Sequence, residues 1–268
     1  MNFHLMCCAA PVVAFFAAFW LLPVVQLLRL PAQKGWATYF AVLTDSRYLH
    51  SLLNTLGLSL VVTLATLGLG AAVGITLARQ RFQGRKLLLS LLTLPLSFPG
   101  VIVGFFIILL GGRQGLVADV TEWAGLGRSI FAYGLSGLFL AYLYFSLPRA
   151  IAAYTAAAAA IDAQLEEAAR TLGASFWQRF LGVLVPAALP AIVAGTLMVF
   201  TLSVGEFNLT WMLHTPLTRT LPVGLADSYA SMRIEIGSAY TLVFLLVILP
   251  VLWGLQVLGT LIEKHHGT

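Results

Sequence analysis

Charge is scarce in this chain of 268 residues: only 9% of its side chains are Asp, Glu, Lys or Arg, against about a quarter in an ordinary soluble domain. With 60% hydrophobic residues and a mean hydropathy of +0.94, there is too little polar surface to coat a globule, and the chain reads as a polytopic membrane protein. Lysine is rarer still. Lys34, Lys86 and Lys264 are the whole set and none follows a glycine, so the phosphate-cradling loop G-x-x-x-x-G-K-S/T is absent and the chain does not read as an enzyme. Cysteine is limited to Cys7 and Cys8, neighbours poorly placed for a disulfide, which read as two small apolar residues entering a helix. No histidine pair has metal-ligand spacing, and His265 and His266 fall in the terminal tail, where a solvated end is expected. No metal site is assigned. The net charge of +5 is scattered between apolar spans, which speaks for membrane topology and against a nucleic-acid partner.

What is abundant is apolar length. A helix needs about 20 mostly apolar residues to cross the hydrocarbon core, and six stretches supply them: Ala9 to Leu28, Thr55 to Ala78, Leu87 to Leu110, Ser129 to Pro148, Pro190 to Met212 and Gly237 to Ile262. The expected fold class is all-α with six transmembrane helices. The first stretch reads as a retained helix, because MNFHLMCC has no Lys or Arg, no small-residue cleavage site follows, and the run exceeds a signal h-region. The missing basic residues leave open a start further upstream.

Orientation rests on one short loop. RQRFQGRK, residues 79 to 86, carries Arg79, Arg81, Arg85 and Lys86 and no acid, so it is expected on the cytoplasmic side, and six spans then put both termini there. Summed over all loops the bias nearly vanishes. Those four with Arg149, Arg170, Arg179 and Lys264 lie inside; Arg29, Lys34, Arg47, Arg113, Arg128, Arg219 and Arg233 lie outside.

The same topology places a polar island, EEAARTLGASFWQRFLGVLVP at 166 to 186, in the cytoplasm between spans four and five. From Tyr154 a run of strong helix formers continues until Gly173 interrupts it. Asp162, Glu166 and Arg170 stand at i, i+4 and i+8, so Glu166 and Arg170 are expected to pair. Ser175 reads as the N-cap of a second short helix carrying Phe176, Trp177, Phe180 and Leu181, which Pro186 ends. Two short helices joined at a glycine make a knuckle whose apolar side chains want a groove. An amphipathic segment lying on lipid headgroups fits the same residues equally well.

The spacing separates the two readings. Glu167, Ala168 and Ala169 are followed by Gly173 and, nine residues later, by Val183, Leu184, Val185 and Pro186. This resembles the cytoplasmic signature of the integral membrane permeases of ABC importers: E-A-A, three residues, G, nine residues, I-x-L-P. Val183 and Val185 depart from the pattern and conserve its apolar character. SLLNTLGLSL, residues 51 to 60, with Asn54 and Thr55, also resembles the start of the family's permease core. The resemblance covers roughly Leu49 to the end. It divides the chain into residues 1–48, an N-terminal transmembrane helix and outer loop, and 49–268, a core of five transmembrane helices with a coupling loop at about 160–189.

The resemblance implies the type I ABC importer permease fold in the bacterial inner membrane, and a knuckle that docks into a cleft of a separate ATPase subunit. Glu167 and Gly173 would be the central docking residues, Ala168 and Ala169 would allow close approach, and Pro186 would close the signature. The chain itself would bind no cofactor, with ATP held by the partner. The implied assembly has two ATPase copies, a second permease subunit, a related one more readily than an identical one, and a periplasmic or surface-tethered solute-binding protein. One chain of this length is half a pore.

For the route across the bilayer, Glu206 in TLSVGEFNLTWML is the one acid within or at the edge of an expected span, which makes it a pathway candidate. A hydrated position at the outer interface is the bland alternative. Asn208 and Tyr142 or Tyr144 are expected to assist it with a cationic or amine-bearing solute. GEFNLTWML and the following TLPVGL also resemble permeases for polyamines, 2-aminoethylphosphonate, ferric iron and thiamine, with a looser likeness to sulfate and molybdate permeases. The expected substrate is amine-bearing; ferric iron, thiamine and oxyanions stay open.

Other features read as packing. Gly70 and Gly74, at i and i+4 in span two, permit close helix approach. Pro95 and Pro99 should kink or break span three, beside the translocation route. The outer segment SYASMRIEIGS, with Asp227, Arg233 and Glu235 in or near it, reads either as a contact for a solute-delivery protein or as a solvated loop. A self-sufficient secondary transporter would show inverted repeats or several intramembrane carboxylates, and neither is evident. A scaffold without transport is the third class.

Overall fold

Alanine-, leucine- and valine-rich runs uninterrupted by charge become long helices here, and glycine or proline breaks them. In the computed structural model residues 3–266 are described, with side chains described over 10–257 and at 259 and 260; the side chains of Cys7, Cys8, Lys264, His265 and His266 lie outside these. The helices are α1 (Phe3–Gln33), α2 (Ala37–Thr44), α3 (Ser46–Arg79), α4 (Arg85–Thr93), α5 (Gly100–Gly111), α6 (Leu116–Trp123) and α7 (Leu135–Ala160). They continue with α8 (Ala163–Thr171), α9 (Phe176–Arg179), α10 (Val185–Val204), α11 (Asn208–Leu213), α12 (Leu221–Ala230) and α13 (Ile234–His266). No strand occurs among the described residues, and six segments are long and apolar enough to cross a membrane: Ala10–Gln33, Ser46–Arg79, Gly100–Trp123, Leu135–Ala160, Phe176–Val204 and Ile234–Val257.

The core is a three-helix contact of α3, α7 and α10. Tyr154 of α7, 1% exposed, fills the notch left by three glycines. A Cβ on Gly70 would stand 3.2 Å from the Tyr154 ring, one on Gly74 2.9 Å from Tyr154 Cβ, and one on Gly195 2.6 Å from the ring. The Gly70 and Gly74 pair therefore serves an internal contact, as its spacing predicts. A second cluster joins Leu58 and Val62 of α3, Val103 and Ile107 of α5, Tyr142 of α7 and Leu209 and Leu213 of α11. Helix α1 packs on α13 and leaves most of its apolar side chains outward.

Several boundaries differ from the sequence expectation. The third span, expected at 87–110, is divided: Pro95 and Pro99 remove two backbone donors, and α4 gives way to a 3-10 turn at Leu94–Ser97 before α5 begins. The fourth ends at Ala160 instead of Pro148, because the alanine run beyond Pro148 is strongly helix-forming. Arg149 thus sits inside the crossing and not in the inner loop where the charge count put it. The knuckle also breaks earlier than Gly173: α7 stops at Ile161, and Asp162 caps α8 by accepting from Gln164 N at 2.9 Å.

Pro186 does not end the second knuckle helix. Phe180–Leu184 form one π turn and the chain runs on into α10, with Pro186 in its first turn. A π turn shifts the hydrogen-bond register, so the missing N–H of Pro186 falls where the ladder is already offset. The fifth span therefore starts at Phe176, well before the expected Pro190, and closes at Gly205 before the expected Met212.

Candidate functional site

At one end of the bundle the chain reverses through the knuckle. Helix α8 closes in a Schellman motif: Ala174 N donates to Ala169 O at 3.1 Å and Gly173 N to Arg170 O at 3.0 Å. Gly173 supplies the left-handed φ of +82° that this closure requires. Two residues later Ser175 opens α9 with a reciprocal capping box, its Oγ accepting from Gln178 N at 3.3 Å and its own N–H donating to Gln178 Oε1 at 2.7 Å. Phe176, Trp177 and Phe180 then pack ring against ring. The expected N-cap at Ser175 is present.

Charge anchors this knuckle to the spans. Glu166 does not pair with Arg170. Its carboxylate lies 3.4 Å from Arg179 of α9 and 3.6 Å from Arg79 at the end of α3, the latter an ion pair too long for a hydrogen bond. Arg79 also donates to Ile161 O at 3.1 Å. The cause is the break at Asp162, which turns Glu166 toward α3. Glu167, Ala168 and Gly173 are left exposed, and Ala169 is half-buried. Leu172 at 88%, Trp177 at 66% and Leu181 at 62% exposure stand around them as an apolar rim.

Deeper in the bundle two interruptions meet. The broken segment ahead of α5 approaches the gap between α10 and α11: a Cβ on Gly100 would lie 3.2 Å from Glu206 Oε1 and 3.1 Å from Asn208 Cβ. Glu206 is half-buried, and its Oε1 accepts from Leu209 N at 3.1 Å, capping the start of α11. Tyr142 is buried, with its hydroxyl 2.6 Å from Thr210 Oγ1 and donating to Glu206 O at 3.2 Å. The structure therefore brings Glu206 and Tyr142 together through backbone and Thr210, leaves Asn208 exposed beside them, and puts Tyr144 on another face of α7. In the sequence Thr210 carried no expectation and Arg149 was counted only as an inner-loop charge; a hydroxyl in an apolar helix and a charge one residue past an expected helix end were the only signals.

At the opposite end Asn54 and Thr55 tie α3 to the segment before α12. Asn54 Nδ2 donates to Leu217 O at 2.9 Å and to Arg219 O at 3.2 Å, and Thr55 Oγ1 accepts from Leu221 N at 2.7 Å. Nearby, Asp45 caps α3. Burial opposes its ionisation, but the Tyr240 hydroxyl and the N–H groups of Arg47 and Tyr48 outweigh that and hold its carboxyl below the usual range. Asp227 pairs with Arg219 at 2.8 Å, and Glu235 with Lys34 at 3.2 Å. Thr55→Val should leave the buried Leu221 N–H without its acceptor and cost about 1–3 kcal/mol, read as a lower unfolding temperature in detergent; an unchanged temperature would mean that the tether contributes nothing.

The sequence and the overall fold are matched by known proteins. Residues 67–264 match the family model described as binding-protein-dependent transport system inner membrane component. The molybdenum transport system permease protein ModB of Escherichia coli is 35% identical over 74% of this chain and 86% of its own length. The sulfate transport system permease protein CysT of the same organism is 32% identical over 70% of this chain and 67% of its own. In fold the chain is similar to a bacterial alginate ABC transporter, with a TM-score of 0.86 at 20% identity over 97% of this chain and 95% of that one. The relatives' names point to molybdenum and sulfate, where the sequence had favoured amine-bearing solutes. Both the six-helix permease fold and the resemblance stated from the Glu167-to-Pro186 signature agree with these matches, and a permease subunit of this kind is a multi-pass inner-membrane protein that leaves ATP hydrolysis to a separate subunit. The chain belongs to the binding-protein-dependent transport system inner membrane component family.

Proposed function

We propose that this permease subunit forms half of the pathway for a tetrahedral oxyanion of the molybdate or sulfate type. The observation that carries the reading is the identity to ModB, 35% over three quarters of the chain, with CysT close behind. The chemistry at Glu206 fits. Its carboxylate is engaged in capping α11, so its presence does not require a cationic solute. Ferric iron, thiamine and amine-bearing solutes are the competing substrates.

Glu167, Ala168, Ala169, Gly173 and Pro186 are proposed as the coupling element. Exposed small residues let another backbone approach, and the Schellman turn followed by a capping box gives a rigid elbow. Its ion pairs to Arg79 and Arg179 would pass a push on the elbow to α3 and α10. One of two ATPase copies that hold the ATP would dock there, with a second permease subunit completing the pore and seating the other, and a solute-binding protein on the outer side. In this reading the elbow and both termini face the cytoplasm. The elbow and the basic 79–86 loop sharing one end of the bundle supports it.

Reconstitution with an ATPase subunit and a solute-binding protein that co-purify with this chain tests the reading. Labelled molybdate or sulfate should enter vesicles in an ATP-dependent way, and spermidine and 2-aminoethylphosphonate should not. Uptake of an amine with neither oxyanion would overturn it.

A further inference from the structure

Arg149 is the charge the bundle does not explain. It lies fourteen positions from Leu135 and eleven from Ala160 in α7, hence about 21 Å and about 16 Å from the two helix ends at 1.5 Å per residue. The helix, about 39 Å long, exceeds a hydrocarbon core of about 30 Å. With the hydrocarbon core taken to begin at Leu135, all the surplus projects beyond the membrane at Ala160 and Arg149 sits more than one helical turn inside. A guanidinium at that depth is costly unless it is paired or meets water.

Its satisfaction is partial. One nitrogen donates to Phe145 O at 2.6 Å, and the guanidinium carbon stands 4.0 Å above the Phe145 ring. Among the described residues no carboxylate lies within salt-bridge distance of it. The side chain is half-buried, so part of it is open. Tyr142, Phe145 and Arg149 share one face of α7 at i, i+3 and i+7. Tyr142 and Phe145 on that face pack with Phe98, Val103 and Leu209, the segments that flank the two helix interruptions. Irregular backbone at membrane depth is stable where protein buries it or where it lines a water-filled cavity. The opposite face, through Ala150 and Tyr154, is spent on α3 and α10.

We infer that Arg149 lines the aqueous translocation path and supplies the positive charge that an oxyanion meets in transit. Phe145 holds the guanidinium by its ring and its carbonyl while the remaining N–H groups stay free for a tetrahedral anion. Glu206, whose carboxylate caps α11, makes no ion pair with Arg149 and leaves its charge unneutralised. This inference rests on the oxyanion reading above.

The test uses the complex assembled with its own ATPase and binding protein, assayed with labelled molybdate and sulfate. Arg149→Gln should lower anion uptake per ATP hydrolysed by about tenfold or more, while ATP hydrolysis stimulated by the loaded binding protein persists; Arg149→Lys, which keeps the charge but not the stacked fork, should fall between that variant and the unaltered complex. On a Cys7→Ser, Cys8→Ser background, the Arg149→Cys variant should regain uptake when a water-soluble thiol reagent adds an ammonium group, and not when the reagent adds a sulfonate. If the unaltered complex carries neither oxyanion, the substrate reading falls and this inference with it. If it carries one and Arg149→Gln carries it equally well, only the role of Arg149 falls. Failure of the glutamine and cysteine variants to assemble, or a cysteine that neither reagent reaches, makes Arg149 a structural residue and overturns the inference.

Discussion

Gly74→Val should destabilise the folded chain by about 2 kcal/mol or more, while Gly68→Val, six positions earlier in the same helix, should leave stability nearly unchanged. Both glycines lie in the interior of α3, where replacing glycine by a side chain gains a few tenths to about 1 kcal/mol in backbone terms. The surroundings decide the sign. A Cβ on Gly68 meets nothing within 4 Å, whereas one on Gly74 would stand 2.9 Å from Tyr154 Cβ and 3.1 Å from both Ile151 O and Thr155 N. Two of those three atoms are backbone, so relief requires α7 to move as a body, and overpacking of this kind costs about 1–3 kcal/mol even for small insertions. The notch is shared with Gly195 of α10, so displacing Tyr154 loosens all three helices together. Unfolding temperature and monodisperse yield in detergent read the difference. Equal stability of the two variants would mean that α3 and α7 are not in close contact in the membrane.

Much of this architecture was legible in the sequence, for physical reasons that differ by element. Length and apolarity gave the number of crossings, six, because hydrophobic matching to a bilayer tolerates few alternatives, but the third, expected at 87–110, lies at Gly100–Trp123 and the fifth, expected at 190–212, at Phe176–Val204. Gly70 and Gly74 announced a close contact because nothing else explains small residues one turn apart in a leucine-rich helix. Ser175 announced a helix start because its hydroxyl and Gln178 complete a box that needs only local chain. The boundaries were less legible. Arg149 reads as a helix end because charge usually is one, yet the alanines after it carry α7 onward for eleven residues. Pro186 reads as a terminator, yet the preceding π turn absorbs it. Glu166 reads as the partner of Arg170 on an unbroken helix, and its real partners, Arg79 and Arg179, are 87 and 13 positions away in the numbering. Glu206 was found by its depth alone, but its hydrogen bond to Leu209 N is invisible without coordinates, and so the substrate expectation built on it leaned toward amines.

Gly173→Val should abolish ATP-driven uptake without unfolding the membrane-spanning helices. At φ +82° a β-branched side chain is strained by about 1–2 kcal/mol, and the cheapest escape is to rotate residue 173 to negative φ. That rotation breaks the paired bonds from Ala174 to Ala169 and from Gly173 to Arg170, and α8 and α9 no longer meet at a fixed angle. Space is not the issue, since a Cβ at this position meets nothing within 4 Å; the penalty is purely conformational. Asparagine tolerates the left-handed region better than other non-glycine residues, so the order of uptake should be Gly, then Asn, then Val. Nothing in the α3, α7 and α10 core touches residue 173, so the unfolding temperature should move little across the series while co-purification of the ATPase subunit falls in the same order. That pairing separates a lost elbow from a lost fold: a valine variant that still captures its ATPase and still transports at the ordinary rate would show that the angle at Gly173 is not what transmits the stroke.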